Sequence, residues 1–227
     1  MSTRDETAAP DSPTRGYIPA LGLRALTPLF DPLLRWVMRE ERFKLRLIQQ
    51  ADVRPDMRVL DLGCGTGTLT VMVKRRQPGA EIVGIDPDPE MLDRARSKAG
   101  RAGVEIAFDQ GFASGLPYLD GSFDRVLASM MTHHLAPDAK RQAFTEVLRV
   151  LRPGGQFHLV DFGPPRSSAM RLLAAIMSRL EETEDNFAGR LPGLLAEVGF
   201  QGVRETGSVT TLLGPLSFLR AERSAEG

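Results

Sequence analysis

Residues 57–70 read Met-Arg-Val-Leu-Asp-Leu-Gly-Cys-Gly-Thr-Gly-Thr-Leu-Thr, and this stretch decides the fold. It starts with a short apolar run, Val59 to Leu62, which predicts a buried strand. Glycines follow at positions 63, 65 and 67, and apolar residues then recur at helical spacing from Leu69 onward. The stretch therefore predicts a strand, a glycine-rich turn and a helix. This arrangement lets a ligand approach the backbone at the carboxyl end of the strand, beside a helix N-terminus.

The glycine spacing and two acids narrow the choice of ligand. The G-x-G-x-G pattern differs from the dinucleotide pattern G-x-G-x-x-G, because Thr68 stands where the third dinucleotide glycine would be. Asp86 ends the next apparent strand, residues 81–86, where a carboxylate can accept hydrogen bonds from both hydroxyls of a ribose. Asp61 lies inside the first apolar strand, and a buried carboxylate needs partners. It could serve a ligand ammonium or the amides of the loop.

Four motifs, in this order, resemble those of class I S-adenosylmethionine (SAM) dependent methyltransferases. They are Val59 to Gly67, Asp86, the segment 116–124 reading Leu-Pro-Tyr-Leu-Asp-Gly-Ser-Phe-Asp, and Leu151 to Gly155 reading Leu-Arg-Pro-Gly-Gly. The resemblance spans roughly residues 53–222. It is to the small-molecule branch that includes ubiquinone and menaquinone biosynthesis methyltransferases.

The alternation of strands and helices predicts an α/β fold, a Rossmann-like doubly wound sheet. The resemblance adds that the sheet has seven strands, mostly parallel with a C-terminal antiparallel strand, and helices on both faces. The antiparallel pair is predicted near residues 202–224.

The resemblance also implies the cofactor, SAM, and the residues that hold it. Gly63, Gly65 and Gly67 would approach the methionine part, and Asp86 the ribose. The whole set of expected cofactor contacts is Asp61, Gly63, Cys64, Gly65, Gly67, Asp86, Pro87, Met91, Gly111, Phe112, Ala113 and Ser129.

The adenine end departs from the family pattern. Many members carry an acid for the adenine amino group where this chain has Phe112. We expect the backbone amides of Phe112 and Ala113 to hold the adenine, with ring stacking. Asp109 reaching the adenine from upstream is one alternative, and Phe112 as a core residue is another.

The methyl acceptor is predicted to lie beyond the fourth strand, residues 123–129. The resemblance implies a small, partly apolar metabolite as acceptor, so the expected reaction is methyl transfer from SAM to that molecule. His133 and His134 are candidate substrate contacts or bases, with capping or packing of the next helix as the alternative. The candidate residues of the substrate pocket are Tyr17, Phe30, Met130, His133 and His134. No metal site is predicted, because two adjacent histidines seldom converge on one ion.

Composition limits the partners. Lys and Arg together number 29, as do Asp and Glu, so charge gives no argument for nucleic acid, which is not expected as a partner. One cysteine excludes an internal disulfide and fits a reducing compartment. No segment approaches the ~18 apolar residues of a membrane span, and the N-terminus lacks a signal-peptide core. A cytoplasmic protein is predicted, and its oligomeric state cannot be read from the sequence.

The predicted organisation has three parts: a disordered tail over residues 1–16, a helical cap over 17–52, and a methyltransferase domain over 53–227. The cap is expected to pack on its own domain, with weak contact to a membrane surface as the alternative. We hypothesise that residues 17–31 form a lid over bound SAM, with Tyr17 or Phe30 excluding water. A permanently packed helix is the alternative for that segment.

The remaining helices and strands are predicted from hydrophobic periodicity and from the positions of glycine and proline. A Pro-Gly-Gly turn at 153–155 is predicted before the fifth strand, and the acidic run 181–185 is interpreted as a solvated helix end. Predicted helices cover 88–100, 138–151, 170–180 and 191–198, and predicted strands cover 104–108, 156–162, 202–211 and 217–224. Two alternative functions remain, a nicotinamide-dependent oxidoreductase and a non-catalytic SAM-binding regulatory protein.

Overall fold

The computed structural model of the protein describes residues 40–165, 170, 183–211 and 214–226. The helices in these ranges are α1 (Glu40–Ala51), α2 (Thr68–Arg76), α3 (Pro89–Ala102), α4 (Pro137–Val150), α5 (Glu184–Phe187) and α6 (Leu191–Val198). The strands are β1 (Arg58–Leu62), β2 (Glu81–Asp86), β3 (Ala107–Gln110), β4 (Phe123–Ser129), β5 (Leu151–Phe162), β6 (Gln201–Thr211) and β7 (Gly214–Glu222). The predicted tail, most of the predicted cap with Tyr17 and Phe30, and all but Met170 of the predicted helix 170–180 lie outside the described residues.

The strands form one seven-stranded sheet in the order β3-β2-β1-β4-β5-β7-β6. The first five strands pair in parallel, and β7 runs antiparallel to both β5 and β6. The predicted doubly wound sheet with a C-terminal antiparallel pair is therefore confirmed. The chain builds outward from β1 to β3 and then returns to place β4 on the other side of β1. In such sheets ligands bind at this reversal, at the carboxyl ends of the two central strands.

Two apolar layers cover the two faces of the sheet, because alternate residues of each strand point to opposite sides. Val59 packs with Phe43 and Leu47 of α1 and with residues of α2. Its neighbour Leu60 packs in the other layer, which holds apolar residues of α4 and α6. The carboxyl ends of β1 and β4 are thereby held on a rigid, close-packed base.

Helix α1 is fastened to the far end of the sheet by polar contacts as well as by its apolar face. Arg46 donates to the carbonyls of Thr206 and Ser208 at 3.2 and 3.3 Å and lies over the Phe218 ring. Gln50 donates to the carbonyl of Leu219 at 2.9 Å. For residues 40–51 the cap therefore packs on its own domain. Within the described ranges, no helix has the length and apolar character needed to cross a membrane.

The third, fifth and seventh strands differ from their predicted bounds, and the seventh is Gly214–Glu222 where 217–224 was predicted. The prediction of strand 104–108 was wrong at its start, because the amide of Val104 still donates to the Ala99 carbonyl at 3.1 Å and closes helix α3. Pairing with β2 begins only at Ala107. The predicted Pro-Gly-Gly turn is part of β5 instead, where the register against β4 shifts between Phe123 and Arg125.

The acidic run after residue 180 is not simply a solvated helix end. Glu184 is exposed, but Asp185 is buried and its carboxylate lies 3.7 Å from Nζ of Lys140, itself fully buried in α4. Burial of an acid beside a buried ammonium binds the segment to the domain. The prediction failed because charge alone does not show which member of an acidic run turns inward.

Candidate active site

The three glycines of the loop between β1 and α2 differ in their surroundings, because two are closely packed and one faces open space. All three have positive φ, at 66° for Gly63, 52° for Gly65 and 71° for Gly67, a conformation that favours glycine. A Cβ on Gly63 would lie 2.8 Å from Cβ of Met131, and one on Gly67 would lie 2.8 Å from Cβ of Ala95. A Cβ on Gly65 would meet nothing within 4 Å. Gly65 is thus the position of the loop that a ligand can approach most closely.

Asp86, the last residue of β2, holds this loop in place. Its carboxylate accepts from the amide of Gly65 at 2.8 Å and from the amide of Asp88 at 3.0 Å. Burial raises the pKa of Asp86, and these two amides act against that rise. Each carboxylate oxygen keeps acceptor capacity beyond one hydrogen bond, so ribose hydroxyls can bind there. The sequence predicted the acid but not its grip on Gly65.

Asp61 is almost completely buried, 2% exposed, and accepts a 2.6 Å hydrogen bond from the Thr70 hydroxyl in α2. Burial raises its pKa to about 6, although that hydrogen bond and the charge of Lys44 oppose the rise. The sequence left two roles open for Asp61, binding a ligand ammonium or binding the loop amides. The loop amide of Gly65 donates to Asp86 and not to Asp61. A ligand ammonium remains the partner that this carboxylate can take.

Cys64 turns its side chain away from the open side of the loop. Its amide donates to the Ile85 carbonyl at 3.0 Å, and its sulfur packs in a small apolar cluster with Phe108. Burial raises the pKa of the thiol. Only the backbone of Cys64 is therefore placed for contact with a ligand.

The segment after β3 lies beside Asp86. The amide of Gly111 donates to the Asp86 carbonyl at 3.2 Å. Phe112 is 57% exposed, so the interpretation of Phe112 as a core residue was wrong. Asp109 accepts a 2.8 Å hydrogen bond from the Tyr118 hydroxyl, and a role toward adenine would compete with that bond.

Two more predicted contacts, Pro87 and Met91, lie at the start of α3, and a third, Ala113, follows β3. Asp88 caps α3 by accepting from the amides of Glu90 and Met91 at 2.8 and 3.4 Å, so Met91 lies in the first turn of the helix and Pro87 just before it. Ala113 is half-buried against the layer that contains α4 and α6. Pro87 and Met91 thus follow the strand that ends in Asp86, and Phe112 and Ala113 follow β3, which pairs in parallel with that strand.

Two features mark the carboxyl end of β4, a positive φ angle at Met130 and a buried hydroxyl at Ser129. Met130 has a φ of 56°, which is uncommon for a residue with a side chain and occurs often at functional sites. In the part of the chain that the structure describes, the buried Oγ of Ser129 has no hydrogen-bond partner. A buried hydroxyl of this kind is usually satisfied, so a ligand group is a natural partner.

A short 3₁₀ turn, Thr132–His134, follows Met130 and is held by Asp161 of β5. The Asp161 carboxylate accepts from the amide and hydroxyl of Thr132 at 2.8 and 2.7 Å, and from Nδ1 of His133 at 2.7 Å. The rings of His133 and His134 lie 4.0 Å apart. Burial, and secondarily His133, lowers the pKa of His134 to about 4, so His134 is neutral at pH 7.

Comparison with known proteins identifies the family. A family model described as a methyltransferase domain matches residues 59–155. Demethylmenaquinone methyltransferase of Thermus thermophilus is 39% identical over 150 residues, which are 65% of this chain and 67% of that protein. The chain belongs to the class I SAM-dependent methyltransferases. Its cofactor is SAM.

Two further proteins resemble this methyltransferase. Demethylmenaquinone methyltransferase of Deinococcus radiodurans is 34% identical over 169 residues, covering 74% of this chain and 69% of that one. The solved structure of a SAM-dependent methyltransferase from Methanosarcina mazei superposes with a TM-score of 0.65 at 24% identity, over 79% of this chain and 98% of that one. The structural likeness supports the fold, and neither the oxidoreductase nor the regulatory alternative gains support.

The residues present fit SAM. Gly65 faces open space, Asp86 keeps acceptor capacity and Ser129 Oγ has no partner among the described residues, all at one edge of the methyltransferase sheet. Sequence reasoning missed Thr132 and Asp161, which lie beside the predicted acceptor residues Met130, His133 and His134. We call this group of five residues, with Met131, the acceptor side. A signal for Asp161 existed, because it interrupts the apolar run Leu159-Val160-Asp161-Phe162 as Asp61 interrupts its own strand.

Proposed function

We propose that this methyltransferase methylates a reduced quinone, an aromatic ring that bears hydroxyls and an apolar substituent. The observation that carries this proposal is the relative named demethylmenaquinone methyltransferase, which is 39% identical over 150 residues. The acceptor side is consistent with such a ring, since Met130 and Met131 are partly buried there and the rings of Phe162 and Phe187 lie 5.4 Å apart. Apolar walls beside a few polar groups suit a partly apolar ligand.

The same proposal assigns the cofactor contacts. Asp86 binds the ribose hydroxyls, Asp61 serves the ammonium, and the backbone at Gly65 lies against the methionine part. Phe112 stacks on the adenine, because its ring is exposed and the preceding residue, Gly111, donates to the Asp86 carbonyl. The remaining expected contacts lie next to these groups; they are Gly63, Cys64, Gly67, Pro87, Met91, Gly111, Ala113 and Ser129.

Asp86→Ala tests the cofactor assignment. The change removes hydrogen bonds between a carboxylate and the ribose, and it also releases Gly65, so S-adenosylhomocysteine should bind more weakly by about 1.5–3 kcal/mol. Isothermal titration calorimetry measures this difference. Asp93→Ala on the exposed side of α3 is the matched control and should bind normally. Unchanged affinity of Asp86→Ala would remove Asp86 from the site.

The chemistry asks little of the protein beyond alignment and a proton acceptor. SAM supplies an activated methyl group on a sulfonium. Transfer to a ring carbon breaks one S–C bond, forms one C–C bond and releases one proton from the ring. Neutral His134 can accept the hydroxyl proton as the ring carbon attacks the methyl group, and the proton of the methylated carbon then returns to that oxygen, so one proton leaves in total. His134→Asn should lower kcat about a hundredfold and leave S-adenosylhomocysteine affinity nearly unchanged. Unchanged turnover would return both histidines to a packing role.

Methyl-labelled SAM and a short-chain prenylated naphthohydroquinone, kept reduced, test the acceptor class. We expect label in the hydroquinone product. The oxidised quinone and a hydroquinone already methylated at the acceptor carbon are the controls and should remain unlabelled. Label that appears only in another class of metabolite when cell extract is supplied would overturn the hydroquinone proposal and leave the methyltransferase activity standing.

Three earlier expectations stay predictions. They are the division at residues 16 and 52, the lid over residues 17–31, and a cytoplasmic location. Removing residues 1–31 distinguishes the lid from a structural helix. Loss of turnover with retained folding and S-adenosylhomocysteine binding supports the lid, whereas a large drop in melting temperature supports the helix.

A further inference from the structure

Asp161 joins three separate parts of the acceptor side. Besides its bonds to Thr132 and His133, it accepts from the amide of Phe162 at 2.8 Å. The Thr132 hydroxyl donates to Asp161 and therefore uses its lone pair to accept from Nδ2 of Asn186 at 3.2 Å. One carboxylate, 1% exposed, thus connects β5, the 3₁₀ turn and α5.

We propose that Asp161 is a positioning residue for methyl transfer, which holds the Thr132–His134 turn so that the His134 ring is directed at the acceptor. This inference rests on the proposed function in assigning the proton-accepting role to His134. The turn begins two residues after Met130, whose φ of 56° is an unfavourable conformation for a residue with a side chain. Such a conformation persists only where the surroundings over-determine it.

The Thr132–His134 turn lies close to the cofactor loop, so fixing its position should affect the rate of methyl transfer. A Cβ on Gly63 would overlap Met131, so the residue before Thr132 lies directly against the glycine-rich loop. A shift of the turn would change the distance between His134 and the methyl donor. Misplacement by about 1 Å can cost on the order of a hundredfold in rate.

Asp161 also determines which ring nitrogen of His133 carries a proton. An ionised carboxylate only accepts hydrogen bonds, so Nδ1 of His133 must be the donor across the 2.7 Å contact. The His133 ring meets the Phe162 ring edge-on at 5.0 Å and lies 4.0 Å from the His134 ring. The His134 ring therefore rests on a neighbour whose orientation and tautomer Asp161 fixes.

Imidazole ¹⁵N NMR of the full chain tests whether Asp161 fixes the His133 ring, and it needs no methyl acceptor. The chain has three histidines, and a His158→Gln spectrum assigns one of them. We expect His133 with its proton on Nδ1. His158 should show the other tautomer, because its Nδ1 accepts from Gln50 and its Nε2 faces Gln156. In Asp161→Asn the His133 and His134 signals should shift and those of His158 should not.

Kinetics separate positioning from simple stabilisation. Asp161→Asn should lower kcat at least about tenfold, while the S-adenosylhomocysteine Kd changes less than about threefold. Asp124→Asn is the matched control, a buried aspartate at the amino end of β4 that accepts from the Arg58 amide at 2.7 Å and pairs with Arg152. It should lower stability and leave kcat within about twofold.

A second pair of variants decides the matter if Asp161→Asn does not fold. Thr132→Ser keeps the hydroxyl that bridges Asp161 and Asn186 and should keep its turnover. Thr132→Val removes the hydroxyl at nearly constant volume and should lose turnover several-fold with S-adenosylhomocysteine affinity unchanged. Turnover is measured with the hydroquinone or with whichever acceptor the labelled-SAM screen reveals.

Two results would overturn the proposal. One is a wild-type spectrum with the His133 proton on Nε2, because the Asp161 contact would then not set the ring. The other is retention of full kcat by the folded Asp161→Asn or Thr132→Val protein. Failure of the hydroquinone assay alone would affect only the acceptor class, since the tautomer is observed independently of it.

Discussion

Asp61 and Asp161 occupy equivalent positions in two strands, and the protein surrounds them differently. Each is the penultimate residue of its strand, each interrupts an apolar run, and both are almost completely buried, with β4 lying between their strands. Among the described residues, Asp61 accepts one side-chain hydrogen bond, from the Thr70 hydroxyl, and the Thr70 backbone amide also acts to lower its pKa. Asp161 accepts four hydrogen bonds from three residues.

Their pKa values follow from that difference. Burial acts on both carboxyls in the same direction, raising the pKa. The pKa of Asp61 stays high, at about 6, whereas His133, Thr132 and the Phe162 amide bring that of Asp161 down to about 2. The protein thus satisfies one carboxylate by itself and leaves the other with acceptor capacity. We take an incompletely satisfied buried acid beside the glycine-rich loop as a sign of a ligand charge.

The largest expected effect contrasts the two acids directly. Asp161→Asn leaves at least one of four donors facing an amide NH₂, and it should lower the free energy of unfolding by about 3 kcal/mol. Asp61→Asn keeps an acceptor for the Thr70 hydroxyl and removes a poorly solvated charge. It should cost less than about 1 kcal/mol. Urea unfolding at pH 7 measures both variants.

Equal costs for the two substitutions would break the comparison. Asp124→Asn provides the scale for an acid that is buried but remote from the carboxyl edge. Its cost should lie between the other two, because it accepts one backbone amide and pairs with one arginine.

The glycine-rich loop shows the same division between groups used by the protein and groups left for a ligand. Gly63→Ala places a methyl 2.8 Å from Cβ of Met131 at a positive φ, and it should lower the free energy of unfolding by about 2 kcal/mol or more. Gly65→Ala meets open space and should cost about 1 kcal/mol from backbone strain alone.

Cofactor binding should rank the two variants in the opposite order from stability, when each is compared as folded protein. Gly65→Ala places its methyl where we propose SAM to lie and should weaken S-adenosylhomocysteine binding more than its stability loss suggests. Calorimetric titration alongside urea unfolding checks this. Normal affinity in Gly65→Ala would mean that the open side of the loop is not the cofactor side.

The sequence predicted the cofactor loop with its acids much better than it predicted the surroundings of Asp161. Glycine spacing and the acids at 61 and 86 are local signals, and strand–turn–helix geometry places them at one edge. The antiparallel pair near 202–224 was likewise predicted, through the family resemblance, and is confirmed.

The acceptor side depends on contacts between residues far apart in the chain. Asp161 contacts Thr132 and His133 across 29 and 28 positions of the chain, and Asn186 contacts Thr132 across 54. No periodicity reports such pairings. The burial of Asp185 is of the same kind, since it depends on Lys140 of another helix. An acid inside an apolar strand was nevertheless a usable signal at 161, as it was at 61.

The smallest expected effect is the pH dependence of cofactor binding through Asp61. Its pKa of about 6 in the ligand-free fold lies above the ordinary value of 3.8. A group raised in this way stabilises the fold at low pH, and that contribution is lost as pH rises through about 6. A ligand ammonium requires the ionised carboxylate. Affinity for S-adenosylhomocysteine should therefore be level above pH 6 and fall by up to about tenfold per unit below it.

Titrations of wild type and Asp61→Asn from pH 7.5 to 5 isolate this carboxyl. His134, with a pKa of about 4, and His158, with a pKa of about 3, remain neutral over most of that range. Asp86 is present in both proteins, and besides burial its charge contributes to raising the pKa of Asp61. The variant should bind more weakly at pH 7.5 but with little further loss at pH 5. Parallel curves for the two proteins would show that the Asp61 carboxylate does not pair with the ligand, and its contrast with Asp161 would then concern stability alone.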